Sequence, residues 1–176
     1  MSEELNEINE EYVVDYMPIV RGIVKMSAAL NEADSVMDGK YFKFGFKVKF
    51  KEWIEVFEAS SHKMMKAFME DNSDALQDAY TRFLEFTKDI TIKDEARTDL
   101  ILLYCKLKSA FNDLDEVELH DGGLMTIVVK MKTFEVLKAI EKQYNDIFDI
   151  RDAEGKSIQV IIDQYDELGK AMFVND

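Results

Sequence analysis

Lys40-Tyr-Phe-Lys-Phe-Gly-Phe-Lys-Val-Lys-Phe-Lys51 is the stretch whose period decides the fold. Phe42, Phe44, Phe46, Val48 and Phe50 alternate with Lys43, Gly45, Lys47, Lys49 and Lys51, the two-residue period of a strand with one buried face. Phe42, Phe46, Phe50, Trp53 and Phe57 also step by four, four, three and four, which is one stripe of a helix that continues through Met64 and Phe68. Residues 52–69 keep helical spacing without Pro or Gly, so we expect a helix from about Val48 onward, entered by an extended segment around Gly45. A short β element near residues 40–50 would be an exposed edge and would need a partner, either residues 125–132 or another chain.

Outward from this stretch the same helical spacing recurs. Pro18 either kinks an acidic lead-in carrying Leu5, Ile8, Tyr12 and Tyr16 or sits in the first turn of a helix through Ile19, Val20, Ile23, Met26 and Leu30. Ser73 opens a helix with Leu76, Tyr80, Phe83, Leu84 and Phe86 inside. Leu100, Leu103, Leu107 and Phe111 mark a helix that is apolar on more than one face, and the central core element is expected there. Residues 112–121 read as a solvated acidic connection. Ile127, Met131, Phe134, Leu137, Ile140, Tyr144 and Ile147 then trace a long helix, although the β-rich run Thr126-Ile-Val-Val129 could extend its first turns. Ile158, Ile161, Ile162, Tyr165, Leu168 and Met172 finish the chain as a helix. One Pro and seven Gly in 176 residues leave few breakers. The expectation is an all-α protein, a single helical domain over 1–176 built as an array or bundle of about six helices with an acidic N-terminal lead-in.

Charge divides the chain. The formal net charge is −14, but residues 40–51 hold five lysines and no acid, so the other 164 residues carry −19. Residues 1–15 hold Glu3, Glu4, Glu7, Glu10, Glu11 and Asp15 and no basic residue, unlike the positive opening of a secretory signal, and no apolar run approaches the roughly 18 residues of a membrane span. A cytoplasmic protein is therefore expected, with no membrane partner. The sole cysteine, Cys105, lies in Leu100-Ile-Leu-Leu-Tyr-Cys105 and reads as a core thiol.

Apparent motifs fail where they are most specific. Gly155-Lys156-Ser157 has the end of a phosphate-binding loop, but the first glycine of that pattern falls on Ile150, so the tripeptide reads as a turn with a helix cap. In the Asp113 to Glu118 run the glycine of a calcium loop is Glu118. His62 and His120 stand four and two residues after a glutamate, not the three that a helical di-iron site needs. One constellation stays open: Asp146, Asp149 and Asp152 recur every three residues, and Asp163, Asp166 and Glu167 follow. If the helices bearing them are antiparallel neighbours, Asp146, Asp149, Asp163 and Asp166 could hold Mg²⁺ and a diphosphate or nucleotide. That spacing resembles the paired acidic helices of all-α isoprenoid synthases and all-α nucleoside triphosphate pyrophosphohydrolases, which implies a Mg²⁺-dependent enzyme as the alternative reading.

The leading expectation is a non-enzymatic protein-binding module without a cofactor. Its sharper form is an acidic inhibitor that imitates nucleic acid and occupies the basic groove of a DNA- or RNA-handling protein. In acidity, size and helical body the chain resembles phage-encoded inhibitors of host machinery as a class. Net charge opposes direct nucleic-acid binding. The expected contact residues are Lys43, Lys47 and Lys49 of the basic stretch and Glu3, Glu7, Glu10 and Glu11 of the lead-in, which would pair within one molecule, between molecules of a homo-oligomer, or with an outside partner.

Overall fold

The computed structural model describes residues 17–38, 44–68, 73–88, 98–117 and 119–171. The architecture is all-α: α1 Met17–Ala29, a 3₁₀ turn Leu30–Glu32, α2 Ala33–Asp38, α3 Phe44–Phe68, α4 Ser73–Thr87, α5 Thr98–Asp115, α6 Leu119–Gln143 and α7 Ile158–Ala171. Among the described residues there is no strand, and a single antiparallel bridge joins Arg151 to Ser157.

The 40–51 stretch takes the helical period earlier than expected. Helix α3 begins at Phe44, so neither the extended entry around Gly45 nor a β element over residues 44–50 forms; residues 40–43, with Lys43, lie outside the described residues. The reason is packing. Phe46, Phe50, Trp53 and Phe57 are buried and stack in series with centroid separations of 5.9, 5.8 and 5.4 Å, an arrangement that requires side chains three and four residues apart on one face. Gly45 sits in the first turn, where its helix-weakening effect is small.

Helix α5 is the centre. It packs against α1, α6 and α7, and its buried positions, among them Leu100, Ile101, Leu103, Tyr104, Leu107 and Leu114, circle most of its surface. Cys105 is fully buried, and burial pushes its thiol pKa up, which fits the expected core thiol. Helix α1 lies beside α5 and also touches α4, while α3 packs chiefly on α6. Pro18 occupies the first turn of α1, where the missing N–H costs nothing. The buried apolar side chains form one connected cluster. No described helix is long and apolar enough to cross a membrane.

Residues 126–129 are helical in α6, so the β-rich run does not extend the first turns, and the helix ends at Gln143, short of the expected Tyr144 and Ile147, the latter opening the 3₁₀ turn Ile147–Asp149. Gly123, at φ 76° and ψ 168°, kinks the start of that element. The Gly155 turn is as expected: Ser157 Oγ accepts from the Val160 N–H at 3.2 Å and caps α7, and Asp152 Oδ1 accepts from the N–H groups of Glu154 and Lys156.

Candidate contact surfaces and a buried ionic cluster

The segment read as a solvated acidic connection begins as the last turn of α5, and its first acid is buried. Asp113 is 2% exposed. Arg21 and Lys25 lie one turn apart on α1, and Ser109 and Asp113 lie one turn apart on the antiparallel α5, so the two pairs interleave. Lys25 Nζ is 2.6 Å from Asp113 Oδ2, donates to Ser109 Oγ at 2.7 Å and is 3.8 Å from Asp166 Oδ1. Arg21 donates through Nε to Asp113 Oδ1 at 3.3 Å and through Nη2 to Glu116 Oε2 at 2.9 Å. Asp166 of α7 accepts from Ser109 Oγ at 2.5 Å and from Asn112 Nδ2 at 3.2 Å, which ties a third helix to the cluster. Burial pushes the Asp113 carboxyl above its usual range, outweighing the downward pull of Lys25 and then Arg21.

Gly169 makes room for this arrangement. A Cβ there would sit 2.7 Å from Lys25 Nζ and 2.8 Å from its Cε. A Gly169→Ala chain gains up to about 1 kcal/mol of helix propensity but must displace a fully buried lysine held by Asp113, Ser109 and Asp166, an overpacking cost of about 1–3 kcal/mol. The expected result is a net loss of about 1–2 kcal/mol in urea denaturation with an unchanged slope; a gain would show that Lys25 yields without loss.

A second buried pair lies at the far end of α1. Lys106 Nζ donates to Glu32 Oε1 at 2.7 Å and to the Ala28 carbonyl at 3.4 Å. Burial raises the Glu32 carboxyl against the pull of Lys106, and Glu32 and Lys106 line one side of an open pocket of about 290 Å³ with Leu84 and Leu102.

The expected metal ligands do not converge. Asp166 is committed to Ser109 and Asn112 of α5, Asp163 is exposed on α7 and accepts from Gln159 at 2.9 Å, and Asp146 and Asp149 are exposed at the 3₁₀ turn Ile147–Asp149. Among the described residues no group of three or more His, Cys, Asp or Glu could hold a metal ion. Of the expected contact residues, Lys49 is exposed and Lys47 half-buried on α3; Lys43, Glu3, Glu7, Glu10 and Glu11 lie outside the described residues.

Phe86 of α4, expected inside, is 44% exposed, because it lies off the buried stripe of Leu76, Ala79 and Phe83. On α6, Met131 and Phe134 of the stripe that traces the helix are 59% and 45% exposed, and Leu124 is 76% exposed. The core face is Thr126, Val129, Thr133, Val136, Leu137 and Ile140, of which the expected stripe held Leu137 and Ile140. Each exposed residue stands two positions from a buried one: Leu124 from Thr126, Met131 from Val129, Phe134 from Val136. Two positions on a helix are about 200°, so the outer stripe lies on the side opposite the core. The inner face wins burial because Thr133 Oγ1 accepts from Trp53 Nε1 at 2.9 Å and donates to the Val129 carbonyl, fixing which side meets α3.

The outer stripe is framed by cations. Phe134 packs on Phe111 of α5 at 5.8 Å between ring centroids. Lys108 and Lys130 each sit 5.6 Å from the Phe111 centroid, and Lys138 is 5.3 Å from that of Phe134. Lys130 also reaches Asp115 at 2.7 Å. No family model, curated protein or solved structure matches this chain.

Proposed function

We propose that the chain is a non-enzymatic protein-binding module whose contact surface is the outer face of α6. One observation carries this reading: α6 is apolar on two sides, only one of which faces the core, so Leu124 and Met131 hold apolar surface in solvent, and Phe134, although it packs on Phe111, is still 45% exposed. Exposed methionine and aromatic side chains around a packed ring pair adapt well to partner surfaces, and the three lysines give the patch a charged rim.

The test is affinity capture from a native extract with the full chain and with a Met131→Glu/Phe134→Ser variant. Both positions are exposed, so circular dichroism should be unchanged. A partner retained by the parent and reduced at least about tenfold with the variant is expected. Equal capture by both chains overturns the reading. A basic partner displaced by heparin and indifferent to the variant would instead favour the nucleic-acid-mimic form, supported by the net charge of −14. Millimolar Mg²⁺ uptake lost on Asp149→Asn/Asp166→Asn substitution would favour the alternative Mg²⁺-dependent enzyme.

A further inference from the structure

The open pocket beside the Glu32–Lys106 pair lies where three elements meet. The 3₁₀ turn Leu30–Glu32 supplies Glu32, the end of α4 supplies Leu84 and Glu85 with Lys88 just beyond it, and α5 supplies Leu102 and Lys106 one turn apart. None of these residues belongs to α6, so the pocket is separate from the contact surface proposed above. Its volume of about 290 Å³ stands at the lower end of the roughly 300–1,000 Å³ usual for small-molecule pockets, which suits a fragment-sized ligand.

The walls select the chemistry of that ligand. Leu84 and Leu102 give an apolar lining. The four charged side chains are matched among themselves: Lys106 holds Glu32 at 2.7 Å, and Lys88 holds Glu85 at 2.8 Å. A ligand with a net charge would meet a like charge for every opposite one, and would have to break a pair to gain a partner. A neutral polar head avoids that cost. Hydrogen-bonding capacity is left over on both members of the buried pair. Glu32 Oε2 is buried and has no hydrogen-bond partner among the described residues. Lys106 Nζ carries three protons, of which Glu32 Oε1 at 2.7 Å and the Ala28 carbonyl at 3.4 Å take two. The Glu32 side chain is 12% exposed against 4% for Lys106, and its last torsion is soft enough for either oxygen to meet a ligand.

We propose that this pocket binds a small neutral molecule with an apolar body and a head that both donates and accepts hydrogen bonds, a carboxamide in its simplest form. The amide N–H donates to Glu32, its carbonyl accepts from Lys106, and the body lies on Leu84 and Leu102.

Three probes that share a chain and differ in the head test this: hexanamide, hexanoate and hexylamine, each titrated to about 20 mM into the full nitrogen-labelled chain and followed by amide shifts in two-dimensional NMR. Hexanamide is expected to give saturable shifts at Glu32, Leu84, Leu102 and Lys106 with a Kd of about 1–10 mM, and the two charged probes to bind at least about fivefold more weakly. Glu32→Gln keeps the shape of the side chain, but its amide nitrogen cannot accept, so hexanamide binding should weaken about tenfold. Where that chain fails to fold, because Lys106 has lost its counter-charge, the ranking of the three heads on the parent decides. Hexanamide without saturable shifts, shifts centred away from the pocket, equal affinity for the three heads, or undiminished affinity in a folded Glu32→Gln chain overturns the assignment. Capture of a partner through Met131 and Phe134 reports on α6 alone and stands or falls separately.

Discussion

An Asp113→Ala chain is expected to lose about 3 kcal/mol of stability. Removing one member of a buried ion pair costs roughly 3–5 kcal/mol because the other charge is left without compensation. The lower end applies here because Lys25, though fully buried, keeps Asp166 Oδ1 at 3.8 Å and Ser109 Oγ at 2.7 Å. Against a usual total of about 5–15 kcal/mol, such a loss would move the urea midpoint by a large fraction. The pair as such is worth much less than its removal suggests, since burial already pushes the Asp113 carboxyl up in spite of two cations in contact with it. Replacing both charges, Lys25→Met with Asp113→Leu, should therefore recover most of the loss and leave a chain about 2 kcal/mol or more above Asp113→Ala. A single variant within about 1 kcal/mol of the parent would mean that Lys25 reaches Asp166 or solvent at little cost, and that the cluster does not hold α1 to α5.

Helix identity was legible because burial of one face leaves a 3.6-residue trace in the sequence, and that trace is strong in α3, α5 and α7. The centrality of α5 followed from its being apolar on several faces, and the end of the Gly155 turn followed from a serine placed just before an apolar helical run. The start of α3 was misread because alternating Phe and Lys satisfies both periods over a few residues; only the four-residue stack ending at Phe57 breaks the tie. The ionic cluster was not legible as such. Arg21 and Lys25 are the only charges within Pro18–Ala29, one turn apart, and Ser109 and Asp113 repeat that spacing on α5, but which helices lie side by side is a tertiary fact that neither segment carries alone. The same limit explains α6. With apolar residues on both sides, periodicity finds a helix and cannot choose the inner face; the choice rests on Thr133 meeting the indole of Trp53.

That indole gives the second large effect. Trp53→Ala should cost about 3–5 kcal/mol, the usual range for truncating a buried aromatic to alanine. Trp53 is fully buried, stacked between Phe50 at 5.8 Å and Phe57 at 5.4 Å, so its removal opens the ladder in the middle and leaves both neighbours facing a void. It also removes the donor to Thr133, which joins α3 to α6. Trp53→Phe separates the two contributions. It keeps most of the packing and loses the hydrogen bond, and because the Thr133 hydroxyl still donates to the Val129 carbonyl, the expected loss is about 1–2 kcal/mol. Trp53 is the sole tryptophan, so unfolding of both variants is followed by circular dichroism instead of fluorescence. A loss below about 2 kcal/mol for Trp53→Ala would mean that α3 and α6 close over the cavity, since the cost of such a site falls as the surroundings collapse into it. In that case the outer stripe of α6 would shift with its helix, and Met131 and Phe134 would change exposure in a variant that leaves both of them in place.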